Sequence, residues 1–196
     1  MFIIIRLKRI ITCLVILIIL ISVSVNGVFL TNNQPKGDEL LIYISIDENK
    51  LILYRNKVID SIYPIATGKP GWPSPIGHWH ITEKSHWGKW FGGRWMGLNV
   101  PWGKYGIHGT TKESSIGRQA SHGCIRMFNK DIKDLYEKVP KGTPVIIVNG
   151  PYGPFGKGFR DLNPGDRGAD VLAVQRKLKL KGYFNGRLNG IYEESL

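Results

Sequence analysis

Residues 40–54 read LLIYISIDENKLILY, two runs rich in β-branched and aromatic residues, Leu40 to Ile46 and Lys50 to Tyr54, around the polar break Asp47-Glu48-Asn49. That pattern is a β-hairpin signal, and it sets the expectation of a mainly β fold. Working outward, Val58 to Ala66 predicts a third strand, with Pro64 marking an edge or a bulge because proline cannot donate to a ladder. Thr67 to Gly77 is a turn-rich loop, with glycines at 68, 71 and 77 and prolines at 70, 73 and 75. His78 to Thr82 alternates apolar and polar residues, as in a half-buried strand. Lys84 to Val100, with Trp87, Trp90 and Trp95, carries no readable period. Tyr105 to His108 is a short strand, and Asn129 to Val139 predicts a helix with Ile132, Leu135, Tyr136 and Val139 on one side and Asn129 as its cap. Pro140-Lys141-Gly142 ends that helix, and Thr143 to Val148 is a last apolar strand. The sum is roughly six strands and one helix in a compact domain over residues 39–149.

The two ends of the chain have other compositions. Arg6, Lys8 and Arg9 precede the apolar run Ile10 to Val25, which continues to Leu30. A basic segment before an apolar run of about 20 residues reads as a signal peptide or an N-terminal membrane anchor. The basic residues before it place the rest of the chain outside the cytoplasm. Residues 31–38 form a polar tether. Residues 150–159 are rich in glycine and proline and read as a linker. Beyond them Ala169 to Lys181 is amphipathic, with Val171, Val174 and Leu178 on one face and Gly182 at the helix stop. The formal charge of +12 falls to +9 when Arg6, Lys8 and Arg9 are set aside. A basic exported domain suits an anionic cell wall. The basic residues are scattered and no nucleic-acid motif accompanies them, so no nucleic-acid partner is expected.

The sharpest chemistry lies in His108-Gly109-Thr110 and Ser121-His122-Gly123-Cys124-Ile125-Arg126. Cys13 falls in the apolar leader, so the exported part carries one cysteine, Cys124, and an unpaired cysteine in a secreted chain is a candidate reactive thiol. A nearby base activates a thiol, and two histidines qualify: His122, which an extended strand would put on the same side as Cys124, and His108, which only tertiary folding can bring near. Gly109 and Gly123 permit close backbone approach and leave amides to hold an oxyanion. The residue types alone also admit a buried, inert cysteine or a His/Cys metal site. They leave open which histidine is the base.

These motifs resemble the catalytic signature of the L,D-transpeptidases, the YkuD-like family, written H-G-T…S-x-G-C-[IVL]-R. The resemblance covers about residues 40–148 and includes the Thr67 to Gly77 loop and the Asn129 to Val145 segment. It implies an L,D-transpeptidase-type β-sandwich with one short helix. It implies Cys124 as acylated nucleophile and His108 as general base, oriented by the Gly109 carbonyl. Amides around Gly123 and Cys124 would form the oxyanion hole, and Ser121, His122, Gly123 and Arg126 would meet the substrate, Arg126 facing a stem carboxylate. The activity implied is cofactor-free and metal-free 3→3 cross-linking of peptidoglycan peptide stems by a monomer, through a thioester on Cys124. An L,D-carboxypeptidase that trims tetrapeptide stems would use the same residues, and a non-catalytic wall-binding protein is the reading from another class.

Other features are expected to be structural. His78 and His80 lie on the solvent side of their strand, and a zinc role with His86 is not expected. Trp87, Trp90 and Trp95 are either packing residues or a groove wall. Residues 160–196 resemble the start of a small helical peptidoglycan-binding module, through Gly165 to Val171, Val174-Gln175, Gly182-Tyr183 and Asn189 to Tyr192. They are expected to form an incomplete peptidoglycan-binding-like module, a small partial α-helical tail.

Overall fold

The computed structural model describes residues 37–150, 160–194 and 196. The expected leader at 1–30, all of the tether but its last two residues, and all of the linker but Gly150 lie outside the described residues. Among those described, no helix is long and apolar enough to cross a membrane.

Among the described residues nine strands run in order: β1 (Leu40–Ser45), β2 (Lys50–Arg55), β3 (Val58–Gly68), β4 (Gly77–Ser85), β5 (Trp95–Leu98), β6 (Tyr105–Gly109), β7 (Gln119–Ser121), β8 (Ile125–Met127) and β9 (Pro144–Val148). Helix α1 (Asn129–Lys138) precedes β9, and α2 (Ala169–Leu180) follows it. The expected hairpin is β1–β2, antiparallel with Ser45 opposite Lys50. Asn49 makes its turn at a φ of 52°, a left-handed conformation that asparagine tolerates better than most residues.

The two long strands join the two halves of the molecule. β3 pairs with β2 as far as Pro64 opposite Lys50, then crosses to β8 at Ile65 and to β7 at Thr67. Pro64 therefore stands at the crossover, where its missing N–H costs no ladder bond. β4 likewise pairs with β9 through His80 and with β5 from Ile81. The strand pairings thus return on themselves, and β3 and β4 are shared by two sheets: β3-β2-β1-β9-β4 and β4-β5-β6-β8-β3. Between them lies one core that includes Ile42, Ile44, Leu51, Leu53, Ile65, Ile81, Ile107, Ile125, Val145 and Ile147, all fully buried. Fully burying such a side chain contributes about 1.5–3 kcal/mol.

The mainly β expectation holds, with nine strands where roughly six are legible. β5, β7 and β8 have four, three and three residues, too short for a period of two to show. Helix α1 covers the end of the second sheet with Ile132 and Leu135. Lys84 reaches from β4 to its C-terminus, where Nζ donates to Tyr136 O and Val139 O at 2.6 and 2.7 Å, a cation on orphan carbonyls. Asn129 is not the helix cap: Phe128 holds that position, and no side chain caps it. In α2 the buried face is Val171, Leu172 and Gln175, and Val174 is exposed. The face has turned because Gln175 is drawn inward by the polar contacts of the 189–191 segment.

Candidate functional site

β6 and β8 are parallel neighbours, with Ile107 opposite Ile125 and His108 opposite Arg126. Side chains alternate between the faces of a strand. Ile107 and Ile125 therefore enter the core, while His108 and Arg126 leave the other face together. Cys124 stands one residue before β8 and lines the same cavity of about 290 Å³ as His108, Ser121, His122 and Arg126.

His108 is held firmly. Only 6% of it is exposed. Its Nδ1 lies 2.5 Å from Gly109 O, and a carbonyl can only accept, so Nδ1 carries the proton and Nε2 is left as a base. Phe91 packs edge-on at 4.9 Å between ring centroids and Trp95 stacks at 5.7 Å, with Trp87 stacked on Trp95 at 4.3 Å. Burial in this aromatic wall lowers the imidazole pKa to about 4; the Gly109 hydrogen bond opposes that and the Arg126 charge adds to it. Burial also raises the Cys124 thiol, against the smaller opposing effects of the Gly106 backbone and Arg126. Both shifts favour the uncharged forms, a thiol at Cys124 and a neutral imidazole at His108.

The segment before Cys124 is a turn, not a strand. Gly123 has a φ of +106°, and a Cβ there would lie 2.6 Å from Tyr105 Cε1, so neither backbone nor space admits a side chain. Strand alternation accordingly fails for His122 and Cys124: His122 is exposed and packs edge-on against the exposed Trp72 at 5.0 Å. It still reaches the cavity rim. Ser121 is buried, and its hydroxyl donates to Cys124 O at 2.6 Å and accepts from Gly123 N at 3.0 Å. The Gly123 amide is therefore engaged by Ser121.

Arg126 forms no ion pair with any described residue, and its Nη1 reaches only Ala120 O, at 3.5 Å. It opens into a second cavity of about 900 Å³, shared with His122, whose other cations are Lys69 and Lys112. Among the described residues, Glu113 is the one acidic side chain lining it. Neither lysine stands out in sequence, since nothing in the string says that residues 69 and 112 meet. Trp90, exposed by 67%, and Phe91 also line the smaller cavity. The tryptophans thus divide: Trp95 is core, Trp87 covers it, and Trp90 is groove wall. His78 and His80 are exposed as expected, and no group of three metal-ligating side chains occurs among the described residues.

Asn129 gives the site its rear support. Its Oδ1 accepts from Thr110 N at 2.9 Å, tying the end of β6 to the start of α1. A Cβ at Gly109 would lie 2.4 Å from that oxygen.

Residues 39–147, more than half of the chain, match the family model described as the L,D-transpeptidase (YkuD) catalytic domain. The Bacillus subtilis protein named L,D-transpeptidase YkuD is 42% identical over 107 residues, which are 54% of this chain and 64% of that protein. The chain thus spans less than two thirds of that relative's length. The B. subtilis protein named L,D-transpeptidase YqjB is 32% identical over 136 residues, covering 61% of this chain and 77% of that one. Among solved structures, LdtMt1 in complex with imipenem aligns at a TM-score of 0.50 with 25% identity, over 57% of this chain and 60% of that one. The Enterococcus faecium L,D-transpeptidase C442S mutant aligns at 0.51 with 24% identity, over 56% and 50%; it speaks for the fold.

Proposed function

The chain belongs to the family of YkuD-type L,D-transpeptidase catalytic domains, and on that premise we propose that it forms 3→3 cross-links between peptidoglycan peptide stems through a thioester on Cys124. The observation that carries this reading is the His108–Gly109 hydrogen bond, which fixes one tautomer and leaves Nε2 as a base beside the cavity that Cys124 lines.

In the first step His108 Nε2 takes the Cys124 thiol proton as sulfur attacks the carbonyl carbon of the third stem residue. Since Ser121 engages the Gly123 amide, the Cys124 N–H is the amide left to meet the developing oxyanion. The tetrahedral intermediate collapses, the C–N bond breaks, and His108 returns the proton to the departing amine of D-alanine. In the second step the side-chain amine of another stem attacks the thioester, gives its proton to His108 and expels the Cys124 thiolate, which is reprotonated. The neutral resting pair suits this course, because the thiolate forms only as the base takes its proton. Needing no metal or cofactor, the chemistry is complete with these groups.

Lys69, Lys112 and Arg126 supply the substrate field. A peptide stem carries several carboxylates, and three cations against one acid around the larger cavity suit it. Ser121 acts within the turn rather than on the stem, while His122 and Trp72 form the rim. The reading carries with it export through residues 1–30, retained as an anchor or removed, and work as a monomer at the cell wall.

The test is incubation of the protein and its Cys124→Ala variant with disaccharide-tetrapeptide, the products being weighed by mass spectrometry. A dimer that has lost one D-alanine, made only with Cys124 intact, is expected. Loss of D-alanine without dimer would make the protein an L,D-carboxypeptidase, and no change of substrate by a folded protein would remove the enzyme reading.

A further inference from the structure

Residues 160–194 are organised around one buried amide. Gln175 Nε2 donates to Asn189 Oδ1 and Ile191 O, each at 2.9 Å, and its Oε1 accepts from Gly190 N at 2.8 Å. Gly168 N donates to Gly190 O at 2.9 Å, and Arg167 bridges to Ile191. Helix α2 and the returning 189–192 segment are thereby one piece.

That piece is packed on the β-sandwich at Trp102, in the turn between β5 and β6. Leu172, 4% exposed, belongs to the same buried cluster as Trp102, and Ala169 and Ile191 pack at its margin. At Gly190, φ +67°, the backbone runs against the indole so closely that a Cβ would lie 2.4 Å from Trp102 Cε3. Trp102 in turn meets Tyr105, the first residue of β6, at 6.5 Å between centroids. Tyr105 lies against Gly123, where it occupies the space a Cβ would need. Burial raises the Tyr105 phenol, Trp102 and Arg167 act against that, and Cys124 adds to it. Contacts run without a gap from α2 and Gly190, through Trp102 and Tyr105, to the turn that carries Cys124.

We propose that residues 160–194 are an intramolecular brace for the nucleophile turn, with Tyr105 as the positioning residue through which the brace acts. The proposal rests on the reading of Cys124 as nucleophile. Gly123 sits in a left-handed conformation that only its surroundings impose, and the Tyr105 ring is the wall on the side where a side chain would be. Freeing the segment exposes Leu172 and Trp102 to water and releases Tyr105, and the turn then populates its working geometry for a smaller share of the time. A rate scales with that share. Stem binding at Lys69, Lys112 and Arg126 does not pass through Tyr105, so the loss falls on kcat rather than KM.

The test measures kcat and KM for D-alanine release by the full-length protein, by Leu172→Asp, by Tyr105→Leu and by the double variant, with Val174→Asp as a control on the exposed side of the same helix. Leu172→Asp is expected to lower kcat at least tenfold with KM within twofold, and Val174→Asp to leave both unchanged. Tyr105→Leu, whose tail remains docked, is expected to reproduce the loss, and the double variant to be no slower than the slower single. An unchanged kcat in Leu172→Asp, a rise in KM with kcat intact, or losses that multiply in the double variant would overturn the brace. Full D-alanine release by Cys124→Ala would instead overturn the nucleophile reading, which separates the two failures.

Discussion

The side-chain oxygen of Asn129 accepts the backbone N–H of Thr110 at 2.9 Å, joining the first residue of α1 to the strand end that carries His108 and Gly109. The helix thus stands behind His108 as well as over the core, and each feature of the site has a similar local support that can be removed.

Asn129→Leu leaves the Thr110 N–H without its acceptor, and an unsatisfied buried donor costs about 1–3 kcal/mol. Urea unfolding should show a loss in that range, with a parallel fall in D-alanine release. Asn129→Asp, which keeps an acceptor oxygen, should recover most of the stability. Equal loss in both variants would contradict the role of the hydrogen bond.

The pH dependence follows from the aromatic wall. A free imidazole titrates near 6.5 and His108 near 4, so the unfolded chain takes up the proton first as pH falls. Stability is therefore lost between about 6.5 and about 4, by about 3 kcal/mol at most. It is fully present above that window. His108→Gln should flatten this part of the stability profile. The acid limb of kcat/KM should fall near pH 4, and Phe91→Ala, which admits water to the ring, should move it up toward 6.5.

The thiol side of the pair has its own profile. With Cys124 raised above its ordinary value by burial, alkylation by iodoacetamide should still be rising at pH 9, followed on the Cys124 peptide so that Cys13 does not contribute. A plateau near pH 7 would mean a standing thiolate–imidazolium pair and contradict the neutral resting state.

Ser121→Ala removes the hydrogen bonds that the Ser121 hydroxyl makes to Cys124 O and Gly123 N. The expected result is a fall in kcat of about 10–100-fold, equivalent to about 1.4–2.7 kcal/mol, with KM little changed. A rise in KM alone would place Ser121 on the substrate.

Arg126→Gln and Lys69→Gln should raise KM for the tetrapeptide stem by about tenfold each, or about 1.4 kcal/mol. The effect of Lys69→Gln should shrink as salt rises from 50 to 500 mM, on the order of a Debye length falling from above 10 Å toward 4 Å. A salt-independent KM would remove the electrostatic role.

How much of this is legible in the sequence depends on how local each feature is. The β1–β2 hairpin and α1 are written in neighbouring residues, and both are where they are expected. The pattern gives no sign of β5, β7 and β8, whose lengths depend on partners far along the chain. Asn129 carries the residue type of a cap, and the Thr110 amide competes for its oxygen. His122 and Cys124 look like strand neighbours until the left-handed Gly123 breaks the alternation. Lys69, Lys112 and Trp90 meet the site only because β3, β6 and the segment before β5 end at the same edge. The spacing of Val171, Val174 and Leu178 suggests an apolar face, which the inward turn of Gln175 displaces.

The most direct measurement is the mass of the protein trapped during turnover of a tetrapeptide stem, with the adduct mapped to a peptide. The account predicts a mass gain equal to the stem less D-alanine, on the peptide containing Cys124, absent from Cys124→Ala and strongly reduced in His108→Ala. Turnover of the stem by Cys124→Ala, or an adduct on any other residue, would contradict it.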